Sequence, residues 1–280
     1  MDGLTREVEV EILHSMLKQN ISPTKHFMKE TLVFIDNIFG GFDSCKDSLL
    51  GREGGVGARY GTWCRARAVI MLLLRAMDLS PVLPFNAVNK SIKGLGISDD
   101  PRYARALAQK FDYTNTFYHK SPRLDVMQNA AEHEGRYDFI LCSDILEHVI
   151  GDWRVAIVNL ISYLKPEGVF IFSVPCSNQA ENTVEHYPGA IDYKVVGTID
   201  GPGALIKYSD GSEILAKQPT FHGGPGNTLE MRIFSKKDIQ QFCLSYGWNC
   251  GLIEGDYPHF GIVFKHEEPG IFIISKKMGA

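Results

Sequence analysis

Asp144, Glu147 and His148 stand just beyond an apolar run, Phe139-Ile140-Leu141-Cys142, that stops at Ser143. On a helix, residues at i, i+3 and i+4 share one face, so two carboxylates and an imidazole could serve one reacting group. An imidazole titrates near neutrality and is a competent general base toward a hydroxyl. Oxygen and nitrogen donors can instead converge on a divalent ion. Structural duty competes with both, because acidic side chains are favoured at a helix start by its dipole. We therefore take His148 as a base or substrate contact, with Glu147 beside it, and assign no metal; a divalent ion held by Asp144, Glu147 and His148 is the alternative. His222, in the glycine-rich run Phe221–Gly226, is a second histidine that could close over an acceptor.

The elements around these residues follow from their patterning. After Asp144 comes an amphipathic segment from Trp153 to Leu164, then a turn at Lys165–Gly168 and a second apolar run, Val169–Val174. Strand, helix, strand with continuously apolar strands indicates parallel strands buried on both faces. In such sheets ligands bind beyond the carboxyl ends of the strands. Upstream, Ile92–Ile97 reads as a strand and Pro101 opens a helix with Asp100 as its cap. Tyr113–His119 reads as another strand. Downstream, Ser235 caps a helix to Trp248, and Gly251–Ile253 and Gly270–Ile274 supply two late strands. The fold class is α/β, a doubly wound, mostly parallel Rossmann-like sheet. Residues 62–280 form that domain, with a long insertion over 176–234 holding strands near Tyr193–Val196, Leu205–Tyr208 and Ile214–Leu215. An insertion of that length in a compact domain suggests a lid or substrate module.

Residues 1–61 are expected to form an N-terminal cap of two helices, about 4–19 and Ser22–Phe39, which could cover a ligand or make a homodimer contact. A glycine-rich loop, Gly51–Gly61, follows. Its backbone could approach an anion, but no convincing strand precedes it, and a mobile surface loop is the expectation. Arg59, Arg65 and Arg67 nearby are expected on a solvated face. With 280 residues, a net charge of -4 and a pI near 6.1, no phosphate-gripping surface is expected, hence no nucleic acid partner. Six scattered cysteines without metal-like spacing suggest free thiols in a reducing compartment. The charged N-terminus and the short apolar runs point to a cytoplasmic protein with no membrane segment.

The stretches YDFILCSDILEHV and LKPEGVFIFSVP resemble the second half of class I S-adenosylmethionine-dependent methyltransferases. The resemblance spans Ile92 to Lys277 apart from the insertion, and it implies an antiparallel last strand. IKGLGISDDPRYARA, Ile92–Ala106, resembles that family's second strand and following helix. By resemblance, Gly94, Gly96, Ser98, Asp99, Asp125, Val126, Ser143 and Asp144 would contact S-adenosylmethionine, Asp125 at the adenine amino group and Val126 against the ring. Glu-x-x-Glu-His sets similar to Asp144–His148 hold magnesium in ubiquinone-pathway and small-RNA 2′-O-methyltransferases. FHGGPGNTLEMRIFS resembles bacterial methyltransferases associated with glycan or secondary-metabolite clusters. Two departures stand out: no glycine-rich first motif lies upstream of Ile92, where Asn86–Lys90 stands instead, and Gly96 occupies the position of the usual acid. The implied activity is O-methylation of a small molecule or sugar. A non-catalytic binding or scaffold protein of the same fold is the alternative.

Overall fold

The apolar runs on either side of the Asp144–His148 segment pair in parallel, as their burial on both faces requires. A computed structural model describes residues 30–223 and 227–276. Its central sheet contains β3 (Lys93–Ile97), β4 (Asp112–Thr116), β5 (Tyr137–Ser143), β6 (Leu164–Ser173), β15 (Asn249–Leu252) and β16 (Ile271–Ser275). Their order is β15-β16-β6-β5-β3-β4, with β4, β3, β5 and β6 parallel and β16 antiparallel to β6 and β15. The chain runs from β3 outward to β4, then returns to the other side of β3 as β5. That reversal makes the carboxyl ends of β3 and β5 the switch point, where open α/β sheets bind ligands.

Period-two alternation along the strands feeds a separate core on each face. From β5 and β6, Ile140, Cys142, Phe170 and Phe172 pack with Trp153, Ile157 and Leu160 of α3 (Trp153–Tyr163) and Ile239 and Phe242 of α4 (Lys236–Ser245). Phe139, Leu141, Val169 and Ile171 face the other way, onto Val69, Ile70, Leu73 and Leu74 of α1 (Cys64–Ala76) and Tyr103 and Leu107 of α2 (Pro101–Lys110). Burying each such large side chain contributes about 1.5–3 kcal/mol, so the strand ends stand on a stiff platform. The caps expected from sequence form: Asp100 accepts from Arg102 N, and Ser235 from Asp238 N.

Three expectations change. Ile92–Ile97 does not occupy the second-strand place. It is β3, beside β5, and thus the first strand of the wound sheet, so a glycine motif belongs after it and not upstream of it. The second N-terminal helix is not helical over its later half. Thr31–Ile35 and Phe42–Lys46 are β1 and β2, an antiparallel hairpin. The run Thr-Leu-Val-Phe-Ile favours strand, Asp36 accepts from Ile38 N and Phe39 N at 3.0 and 2.9 Å, and Gly40 adopts φ +75° at the turn. The first helix, with any dimer contact through it, lies outside the described residues. Finally, Leu146–His148 is a single 3-10 turn, so Asp144 is not on one helical face with Glu147 and His148.

The insertion folds as small β elements. β9 (Ala190–Thr198), β10 (Gly201–Tyr208) and β11 (Glu213–Ala216) form one antiparallel sheet, with the expected hairpin at Ser209–Gly211. β12 (Phe221–His222) pairs with β13 (Thr228–Leu229), and β14 (Arg232–Ser235) lies between β7 (Cys176–Ser177) and β8 (Val184–Glu185). No helix among the described residues is long and apolar enough to cross a membrane.

Candidate active site

Ser98 and Asp144, the residues that follow β3 and β5, both hold left-handed backbone, with φ +55° and +51°. Such conformations cost side-chain-bearing residues of order 1–3 kcal/mol and concentrate at functional sites. Asp144 is fastened in place. Its N–H donates to Ser173 O at 2.9 Å, and Ser173 Oγ donates to its Oδ1 at 2.8 Å. Arg52 grips the carboxylate with Nη2 at 2.6 Å and Nη1 at 3.0 Å, while Arg65 Nη2 lies 3.3 Å away. Arg65 also donates to Ser143 Oγ and pairs with Glu53 at 2.7 Å. Burial alone would raise the Asp144 carboxyl, but Arg52 and Arg65 outweigh it and hold the group well below its ordinary value.

The glycine-rich loop therefore lies over the strand ends. It is also pinned, not mobile: Asp43 accepts from Arg59 N and Tyr60 N at 2.8 and 3.0 Å, and fully buried Arg67 donates to Gly55 O and Gly261 O, both at 2.7 Å. The solvated face expected for Arg65 and Arg67 is thus overturned, because carboxylates and carbonyls brought in from distant segments pair with them.

A second cluster begins three residues later. Leu146 anchors the turn in the core, which carries Glu147 inside, fully buried. Arg232, from β14, secures the turn by donating to Leu146 O, Val149 O and Gly151 O at 2.7, 2.8 and 2.8 Å. His148 Nδ1 lies 2.8 Å from Leu229 O. A carbonyl only accepts, so this nitrogen carries the proton and Nε2 keeps the lone pair. Nε2 is 3.8 Å from Glu147 Oε1. His222 reaches in from the insertion, its Nδ1 3.2 Å from Glu147 Oε1 and its Nε2 2.7 Å from Glu230 Oε2. Glu230 also takes His186 Nε2, at 2.9 Å. The rings of His148 and His222 meet edge to face, 4.7 Å apart. Despite these neighbours, neither Glu147 oxygen has an aligned hydrogen-bond donor. Burial pushes the Glu147 carboxyl up and His148 down, whereas contact with Glu147 and Glu230 raises His222.

Ser143 and Asp144 thus meet at one point, and Glu147, His148 and His222 at the next. The remaining candidates behave differently. A side chain on Gly94 would overlap the Phe139 ring, and one on Gly96 the Tyr113 hydroxyl and Asp99. Packing alone excludes a side chain at both positions. Asp99 is buried, accepting from the hydroxyls of Tyr103, at 2.7 Å, and Tyr113, and burial raises its carboxyl to about 7. Asp125 accepts from Met127 N and Gln128 Nε2 at 3.0 and 3.1 Å, and Val126 O accepts from Asn159 at 2.9 Å. Sequence reasoning missed Arg52, Glu230, Arg232 and His186. One signal existed: Glu230 and Arg232 place charges amid Leu229, Met231, Ile233 and Phe234, where a solvated loop has no need of apolar neighbours.

A family model described as a methyltransferase domain matches residues 56–201, from the glycine-rich loop into β10. No curated protein matches the sequence. Among solved structures, a S-adenosylmethionine-dependent methyltransferase from Clostridium acetobutylicum is 13% identical over 76% of this chain and 92% of its own, with a TM-score of 0.46. DesVI of Streptomyces venezuelae is 12% identical over 76% and 91%, with a TM-score of 0.42. The sugar N-methyltransferase KedS8 from Streptoalloteichus is 11% identical over 76% and 88%, also at 0.42.

Proposed function

The chain belongs to the methyltransferase-domain family and is a S-adenosylmethionine-dependent methyltransferase, and we propose that it methylates a hydroxyl of a small molecule or sugar. One observation carries this reading: the end of β5 bears two adjoining clusters of different chemistry, guanidinium–carboxylate at Asp144 and imidazole–carboxylate at Glu147.

The first cluster suits the amino-acid end of the cofactor. Arg52 and Arg65, whose side chains are 12% and 11% exposed, offer donors for a carboxylate. Glu53 and Asp144 offer acceptors for an ammonium group. The strained Ser98 backbone and the Asp125–Val126 turn are assigned to the nucleoside end. S-adenosylmethionine supplies a methyl group already activated on sulfur, so the protein's own contribution is alignment and control of the acceptor proton. His148 is the contact on the acceptor side. Burial keeps it neutral, and its bond to Leu229 O aims the Nε2 lone pair toward Glu147 and His222. His222, with a side chain 30% exposed, forms the open side through which an acceptor reaches the cluster.

A second reading, a binding protein without catalysis, draws on the ion pairs that already satisfy Asp144. Calorimetry with S-adenosylmethionine and S-adenosylhomocysteine separates the two. Binding, followed by transfer of an isotopically labelled methyl group to a hydroxylated sugar or aromatic acceptor, supports the enzyme. No heat at millimolar ligand defeats it. Free thiols at all six cysteines fit the cytoplasmic setting we assign.

A further inference from the structure

We propose that Glu147, His148 and His222 together bind one divalent transition-metal ion of the zinc and manganese class. This deepens the reading of the cluster as the acceptor side, and rests on it for the ion's chemical role, though not for binding itself.

The argument begins with donors and lone pairs. One carboxylate oxygen and one nitrogen from each histidine all lie within 4.8 Å of one another. Hydrogen bonds behind the rings decide which nitrogens face inward. Leu229 O engages Nδ1 of His148, and Glu230 engages Nε2 of His222. In its neutral form each ring presents an unprotonated nitrogen to Glu147, at 3.8 and 3.2 Å; His222, which Glu147 and Glu230 hold toward its protonated form, releases that proton when a cation takes its place. Backing of ligating histidines by a carbonyl or carboxylate is how metal sites orient their rings. Donors bound to a common ion at about 2.1 Å lie about 3–3.5 Å apart, so the two contacts to Glu147 need only slight contraction and the histidine nitrogens draw together around the ion.

The independent observation is Glu147 itself. Both of its oxygens are buried, without an aligned donor, and aimed into the cluster. A buried carboxylate without an aligned donor is unfavourable unless positive charge stands beside it, which a bound cation supplies at closer range than the His222 ring. Two nitrogens and one oxygen favour a transition ion over magnesium, which prefers oxygen. Three protein ligands leave open positions, and a hydroxyl bound there becomes more acidic. The His148 lone pair then serves the ion, and the hydroxyl, already polarised, gives its proton to solvent water through the open His222 side. Asp144 takes no part, since Arg52 and Arg65 hold it.

The test uses the full chain, stripped with a chelator and titrated calorimetrically with zinc, manganese or magnesium chloride, without cofactor. We expect one zinc or manganese ion per chain. Glu147→Gln and His222→Ala should each weaken it more than about 100-fold, and Glu230→Gln, which only positions His222, by about 10–100-fold. Cobalt chloride should give the visible absorption of a nitrogen-ligated site, lost in His222→Ala. Circular dichroism checks that each variant folds; should His222→Ala fail, His222→Gln replaces it. Absence of uptake by folded wild-type protein, uptake of magnesium alone, or uptake unchanged in Glu147→Gln and the His222 variant overturns the proposal. S-adenosylhomocysteine binding by the same stripped protein reports separately on the methyltransferase reading.

Discussion

The two clusters at the end of β5 are three residues apart and solve burial in opposite ways. At Asp144 each charge meets its opposite: two guanidiniums and a serine hydroxyl converge on one carboxylate. At Glu147 the carboxylate is more deeply buried, yet its neighbours are the imidazoles of His148 and His222 and neither of its oxygens has an aligned donor. The first arrangement satisfies every charge in it, and we propose that it exchanges partners with the zwitterionic end of the cofactor. The second leaves a buried carboxylate without an aligned donor, and it is there that we propose the acceptor binds. A buried charge without a partner is costly enough to mark a site.

The sharpest way to break this contrast is Asp144→Ala, which removes the buried carboxylate shared by two mostly buried guanidiniums and leaves them the exposed Glu53 as a charge partner. It should cost about 3–5 kcal/mol in denaturant unfolding at neutral pH. The sign with pH follows from the depressed folded pKa. Stability from Asp144 is fully present above its unfolded value of 3.8 and is lost as pH falls through the lower folded value. The gap between wild type and variant should therefore close in acid and stay constant above about pH 5; a gap that widens in acid contradicts the assignment. Next in size is His148→Gln, which should reduce methyl transfer about 100–1,000-fold while S-adenosylhomocysteine still binds. Equal loss of both would make His148 structural. Ser143→Ala removes one hydrogen bond from Arg65 and should cost about 1 kcal/mol of stability, measured the same way. In chelated protein, Glu147→Gln should do the reverse and stabilise by up to about 1 kcal/mol, since a buried charge disappears. A loss comparable to that of Asp144→Ala would show both clusters to be structural pairs.

Much of the scaffold was legible because it is local. The apolar runs of β5 and β6, the caps Asp100 and Ser235, and the hairpin at Ser209–Gly211 all follow from short-range pattern and form as expected. Asp144, Glu147 and His148 were legible for the same reason, as polar residues where an apolar strand stops. The slot of β3 was not, since neighbouring strands in a sheet leave no mark on each other's sequence. Thr31–Ile35 misled because its apolar residues suit a helix face as well as a strand.

What the sequence by itself determined is the alternation of strands and helices and the presence of an acidic, imidazole-bearing segment at a strand end. Periodicity and capping act within a few residues, so they can be read in one dimension. Only the tertiary structure decided which groups those side chains meet. Arg52 reaches Asp144 across 92 positions, Leu229 O holds His148 across 81, and His222 arrives from the insertion. Charge pairing and desolvation depend on distance in space, and that distance separates a satisfied aspartate from an unsatisfied glutamate three residues away.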